Sequence, residues 1–209
     1  MTIERQSETR QRFNVLDRFI RSIRSRRIRS QVESTDVVLD FGCGQENWFL
    51  RSSSKAISAG IGIDPHLNLN FDPDLQPPNI QAKRCTIAEF GNETSTQFDV
   101  VTWLAVIEHF HSEEAETFLS TCASLLKPNG RIVLTTPTPR SKPILEFLAY
   151  KLHFISEDEI RDHKIYYNKR KMETVLQRSG FRMIKYQTFQ FGFNSLIVAT
   201  RARAVDSES

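Results

Sequence analysis

A doubly wound α/β sheet is the fold this sequence predicts, and three observations predict it. Short runs that are apolar at nearly every position, as strands buried on both faces require, alternate with segments of helical spacing. A Gly-x-Gly turn follows the first run at once. An acidic residue closes the second.

The first run is Asp36-Val37-Val38-Leu39-Asp40-Phe41, followed by Gly42-Cys43-Gly44 and a predicted helix over 46–55. Ala59-Gly60-Ile61-Gly62-Ile63-Asp64 forms the second. The Pro- and Asn-rich stretch 65–79 reads as loop with at most a brief helix. A third strand covers 80–83 and a fourth 98–103, leading to a helix over 112–126. Pro128-Asn129-Gly130 marks a turn before a fifth strand at 131–136, which Pro137 and Pro139 stop. Beyond it, an apolar-rich helix spans 143–155 and a charged stretch runs from 156 to 164. A helix over 168–179 closes on Gly180, and strands near 181–190 and 194–202 flank a hairpin turn at Gly192-Phe193-Asn194.

At 209 residues the chain suits one domain with a sizeable core. Hydrophobic residues at 39% and charged residues at 25% place it among ordinary globular proteins rather than disordered ones. No apolar run reaches the roughly 18 residues of a membrane helix, and the polar start is unlike a secretory leader. Cys43, Cys85 and Cys122 are sparse, odd in number and without CxxC spacing, which argues against disulfides and structural zinc. No metal ligand set stands out, and the chain reads as cytosolic.

The net charge of +3 is unevenly spread. Residues 1–30 hold nine arginines against three acids, leaving 19 of the 28 basic and 22 of the 25 acidic side chains to the rest. Residues 4 to about 29 lack Gly and Pro and place Phe13, Leu16, Phe19, Ile20 and Ile23 on one stripe, an amphipathic helix. Two readings fit it. The stripe docks on the domain with the arginines solvated, or the arginines meet anionic lipid or a phosphorylated substrate. Residues 31–203 would then form the main domain, with a helical cover at about 140–167 and a disordered tail at 204–209. The acidic body offers no basic or aromatic groove for nucleic acid. Nothing in the pattern sets an oligomeric state.

The chemistry concentrates at the glycine turn. Glycines at 42 and 44 let the chain turn sharply off a strand and let a ligand approach the backbone. Asp64, twenty residues past Gly44, can accept two hydrogen bonds from vicinal ribose hydroxyls. A dinucleotide reading requires glycine at 47, where Asn47 stands before the bulky Trp48.

Four stretches in order resemble the class I S-adenosylmethionine-dependent methyltransferases: Leu39-Asp40-Phe41-Gly42-Cys43-Gly44, Gly62-Ile63-Asp64, Phe98-Asp99-Val100-Val101 through Val106-Ile107-Glu108-His109, and Leu126 through Arg131. The likeness covers roughly 35–200 and is greatest to the small-molecule group whose fourth motif ends in Glu-His. It implies a Rossmann-like, three-layer αβα fold whose seven-stranded sheet has its last strand antiparallel. It also implies S-adenosylmethionine as cofactor and a small-molecule, sugar or lipid-linked acceptor. By position, the Gly42–Gly44 loop with Cys43 would cradle the methionyl part and Asp40 would orient that loop. Asp64 would bind the ribose, Pro65 and His66 would border the adenine, and Leu104 and Ala105 would lie along the methionyl moiety. Two departures stand out. Glu46 replaces a frequent third glycine, and Thr86-Ile87 occupy the region where an adenine-side acid is usual, so a hydroxyl or backbone amide would serve there.

Methyl transfer to a sulfonium-activated carbon depends mainly on alignment, with a base helping where the acceptor is a hydroxyl or protonated amine. His109 is the candidate base, since imidazole titrates near neutrality; equally, it can simply start the next helix beside His111. Glu108 is read as an anchor for its loop. His163, with Tyr166 and Tyr167, falls where the family places a cover over the acceptor, against which stands a plain core and surface role. A catalytically silent binding protein of the same fold is the competing reading, motivated by the two departures. A nucleic-acid methyltransferase is a third, against which the absent Asn/Asp-Pro-Pro-Tyr signature stands.

Overall fold

Alternation within each strand builds the layers. Val38, Val100 and Val133 face one side of the sheet, while their chain neighbours Leu39, Val101 and Ile132 face the other. Both faces are apolar, so each must be covered by helices. The computed structural model describes residues 20–68, 76–150 and 164–202.

The strands are β1 (Val37–Phe41), β2 (Ala59–Ile63), β3 (Ile80–Lys83), β4 (Phe98–Leu104), β5 (Leu126–Pro137), β6 (Phe181–Phe189) and β7 (Asn194–Arg201). The helices are α1 (20–29), α2 (Trp48–Ser53), α3 (Ile87–Glu93), α4 (Ser112–Leu125), α5 (Lys142–Tyr150) and α6 (Lys169–Arg178). The sheet order is β3-β2-β1-β4-β5-β7-β6. Strands β1 to β5 pair in parallel, and β7 runs antiparallel between β5 and β6. This is the doubly wound, seven-stranded arrangement the sequence implies. Strand order reverses at β1/β4, so a crevice opens beyond their carboxyl ends, where such sheets take ligands.

Several local readings change. The helix after the glycine turn starts at Trp48, because Asn47 is left-handed (φ 48°), and it ends in a short 3-10 turn at Ser54–Ala56. Helix α3 lies in a stretch the sequence pattern left unassigned. A capping box builds it: the Thr86 hydroxyl accepts from Glu89 N, and the Glu89 carboxylate accepts from Thr86 N. The turn at Pro128-Asn129-Gly130 is a bulge inside β5. Residues 127–130 lie between the paired Leu126 and Arg131, opposite the single residue Asp99. Of the predicted helix 143–155, residues up to 150 are helical and the remainder lies outside the described residues.

One face is filled by α3, α4 and α6 through Phe90, Leu119, Cys122, Met172 and Leu176. The other is covered by α2 through Phe49 and Leu50 and by α1 through Ile28, which is fully buried. The arginines of α1 are not simply solvated. Arg29 donates to Ser52 O (2.6 Å), Arg27 lies over the Phe189 ring (5.8 Å), and Arg24 donates to Asn194 Oδ1 (3.1 Å). The stripe residues Phe13, Leu16 and Phe19 and the tail 204–209 lie outside the described residues. Among the described residues, no helix is long and apolar enough to cross a membrane.

Because Ile28 sits in the core rather than on a detachable arm, Ile28→Ala should lower the unfolding free energy by about 2–4 kcal/mol. Urea denaturation followed by circular dichroism measures this, and a loss below about 1 kcal/mol contradicts a docked α1.

Candidate active site

The glycine turn is held from two sides. Gly42 N and Cys43 N both donate to Ile63 O, at 2.9 and 3.2 Å, which ties the turn to the end of β2. Asp64 completes the tie: Oδ2 accepts from Gly44 N at 2.9 Å and Oδ1 from His66 N at 2.7 Å. The carboxylate therefore lies along the crevice wall, and each oxygen keeps a second lone pair for a hydroxyl donor.

The two glycines serve different ends. Both have φ of 72°. A Cβ on Gly42 would stand 2.5 Å from Val106 Cγ2, so the loop after β4 fills that space. A Cβ on Gly44 would meet nothing within 4 Å. Gly44 is thus where a ligand can reach the backbone. Glu46 is exposed at the rim, so it does not load the turn with buried charge. Asn47 is buried, with Nδ2 donating to Gln81 O at 3.2 Å, and its Oδ1 occupies the volume a Cβ on Gly62 would need.

Asp40 is buried below this turn, where Thr102 Oγ1 on β4 donates to its Oδ1 at 2.6 Å. Burial raises its pKa to about 7 against the Thr102 hydrogen bond, and the nearby Asp64 charge pushes the same way. Burial and the same two carboxylates also push the Cys43 thiol up, so it stays protonated and does not compete as a nucleophile.

Across the crevice, Leu104 and Ala105 end β4 half-buried. Ala105 is left-handed (φ 57°) and is held there by its N–H to Thr135 O at 2.9 Å. Such strain in a non-glycine residue is characteristic of ligand sites. The loop then makes a 3-10 turn, Ile107–His109. His109 is half-buried at its end, and it closes this turn rather than starting α4, which is capped by His111. Glu108 is buried. Its Oε2 accepts from Thr136 Oγ1 at 3.0 Å, its backbone O accepts from Lys164 N (2.8 Å) and Ile165 N (3.2 Å), and its Oε1 has no hydrogen-bond partner among the described residues. Burial raises the Glu108 pKa, an effect the Arg24 guanidinium on α1 partly offsets. Glu108 thus anchors its loop to β5 and to the return of the segment before α6.

The structure brings Asp40, Gly42, Cys43, Gly44, Asp64, Leu104 and Ala105 to the carboxyl ends of β1, β2 and β4. Pro65 and His66 lie exposed at the rim. Thr86 and Ile87 follow β3 at the start of α3. The Thr86 N–H and hydroxyl are both taken by Glu89, and the Ile87 side chain is in the core. Tyr167 is a core residue whose phenol is pushed up to about 12 by burial and the Glu108 charge. His163 lies outside the described residues. Sequence reasoning missed Thr102 and Thr136. Their signal was a hydroxyl within an otherwise apolar strand, whose partner a sequence cannot name.

A seven-stranded sheet with β7 reversed, an open glycine turn and an acid at the end of β2 define the architecture of the class I methyltransferases. The chain matches the model of the family described as "Methyltransferase domain" over residues 9–186, and it belongs to that family. A mitochondrial ubiquinone biosynthesis O-methyltransferase of Homo sapiens is 35% identical over 132 residues, 59% of this chain and 33% of that protein. Its namesake in Bradyrhizobium diazoefficiens is 30% identical over 126 residues, 56% of this chain and 48% of that protein. The matched region thus spans a third to a half of these relatives' length. Among solved structures, a SAM-dependent methyltransferase from Archaeoglobus fulgidus superposes with a TM-score of 0.67 at 19% identity, covering 88% of this chain and 94% of that one. Magnesium protoporphyrin IX methyltransferase from Synechocystis with bound SAH gives 0.61 at 17%, covering 88% and 83%.

The Asp40 proton links stability to pH. Because its folded pKa lies near 7 against an ordinary 3.8, its contribution is fully present below about pH 4 and is lost as pH rises through 7. Asp40→Asn should therefore stabilise the protein at pH 8 by on the order of a few kcal/mol and flatten this dependence. Thermal unfolding from pH 5 to 8 measures it; an equal or lower melting temperature for the variant at pH 8 contradicts a strained carboxylate.

Proposed function

We propose that this chain transfers a methyl group from S-adenosylmethionine to a hydroxyl oxygen of a small-molecule acceptor. The observation that carries the reading is the Asp64 carboxylate lying against the Gly44 amide, beside open space over Gly44. Family membership supports methyl transfer, and the O-methyltransferase names of the relatives support oxygen as the acceptor atom.

Asp64 would take the ribose hydroxyls, with Pro65 and His66 beside the adenine. The turn 42–44 would hold the methionyl carboxylate end, and Asp40 would balance its ammonium, which draws the Asp40 proton off. Bound there, the cofactor supplies a methyl carbon activated for in-line displacement. Leu104 and the strained Ala105 would orient the methionyl chain so that the acceptor approaches from the β4–β5 side. His109 would take the proton leaving the acceptor hydroxyl, and Glu108 would hold the loop that carries His109. His163 would supply a second acid–base group from the cover. Where the acceptor is lipid-linked, the arginine-rich N-terminal segment would meet an anionic membrane surface. The reading places the enzyme in a reducing, cytosolic compartment, in keeping with its three free thiols.

Isothermal titration with S-adenosylmethionine and S-adenosylhomocysteine should show binding that Asp64→Ala weakens by roughly 3 kcal/mol, about a hundredfold. Unchanged affinity contradicts the ribose assignment. Labelled methyl transfer to a cell extract should fall by about 10²-fold or more in His109→Gln with cofactor affinity retained. Binding with no transfer by the wild-type protein contradicts the enzymatic reading.

A further inference from the structure

A second opening lies on the same carboxyl-end side of the sheet, away from the glycine turn. It is a cavity of about 330 Å³ walled by Thr138 and Arg140 after β5, Asn168 before α6, Tyr186 and Thr188 on β6, and Gly192 in the β6–β7 turn. Its lining is linked to the Glu108 region by residues close in sequence. Thr136 bonds Glu108 and Thr138 lines the cavity; Tyr167 feels the Glu108 charge and Asn168 lines the cavity.

The walls are rich in donors and, among the described residues, carry no carboxylate. Arg140 forms no ion pair or hydrogen bond with a described residue. Asn168 uses only its Oδ1, accepting from Lys171 N, so its Nδ2 is unspent. The Tyr186 and Thr188 hydroxyls are likewise without partners among the described residues. Guanidinium and amide NH₂ groups can only donate, and on Arg140 and Asn168, both exposed, the free donors are open to water that an anionic oxygen can replace. Lys169 and Arg170, exposed and next in sequence to Asn168, are further cations on this side. The Gly192 turn is fixed rather than loose: Thr138 Oγ1 donates to Gly192 O at 2.7 Å and Thr138 N to Phe193 O at 2.9 Å. A guanidinium with a planar donor fork, beside an amide and two hydroxyls, suits an anionic oxygen group.

We propose that this cavity binds a carboxylate or phosphate carried by the methyl acceptor. The acceptor would then span from the β4–β5 end, where its hydroxyl is methylated, to Arg140, where its charge is held. The inference rests on the methyltransferase reading for the identity of the ligand, while the anion site itself stands on the cavity.

The test uses the whole chain. Inorganic phosphate and acetate are titrated at constant ionic strength, with chloride as reference, while the Arg side-chain Nε–H resonances are followed by NMR. Saturable shifts at Arg140 are expected for phosphate or acetate, with affinity reduced roughly tenfold or more in Arg140→Gln and unaltered in Asp64→Ala. Urea unfolding confirms that Arg140→Gln folds like the wild type. Absence of saturable shifts, or equal affinity in Arg140→Gln, overturns the anion site. Cofactor titration in parallel separates the two claims, since phosphate binding without S-adenosylmethionine binding removes only the methyltransferase reading. In the labelled-methyl assay, the wild-type product should be retained on an anion-exchange column and its yield should fall in Arg140→Gln. A product that is not retained overturns the assignment of the anion to the acceptor.

Discussion

The site depends on a three-way contact between a glycine turn, the end of the neighbouring strand and one carboxylate. Two amides of the turn point at Ile63 O and a third points at Asp64. These bonds let β1 leave the sheet as an open crook instead of running straight into α2. They also leave the Gly44 backbone accessible. The left-handed Asn47, braced on Gln81, then starts α2, so the turn is fixed at both ends. A ligand arriving here meets donors and a carboxylate already in place, with little ordering left to do.

The cost of this arrangement is buried charge. Asp40 and Glu108 are both buried, and burial raises the pKa of each. Each carboxyl has a single hydroxyl partner from the strand beside its own segment, Thr102 for one and Thr136 for the other. A strand hydroxyl holds such a carboxyl in place without neutralising it, so its protonation remains free to respond to a cation such as an ammonium group. Positions that lower stability in the empty protein are common where function requires charge.

Much of this was legible in the residues. The apolar runs Val37–Phe41, Ala59–Ile63 and Phe98–Leu104 announced buried parallel strands, and the residues ending them announced the crevice. What escaped were features set by partners distant in sequence. Thr102 looks like any β-branched residue until Asp40 is seen beside it. The pattern read Asn47 as a failed glycine, whereas its side chain supplies the brace that a glycine could not. Thr86 was read as a ligand group from the position the family resemblance gives it, and the capping box it forms with Glu89, three residues on, was contained in the sequence but not read there. The arginines of α1 looked like a solvated face because helical periodicity shows which side is polar, not whether that side meets a neighbour such as Asn194.

Whether Asp64 seats a ribose is decided by a crystal structure of the complex with S-adenosylhomocysteine. The ribose hydroxyls are expected within hydrogen-bond distance of Asp64 and the methionyl end against the 42–44 turn, with Val106 still seated over Gly42. A nucleoside bound elsewhere, or a ribose that leaves Asp64 bonded only to the Gly44 and His66 amides, would contradict it.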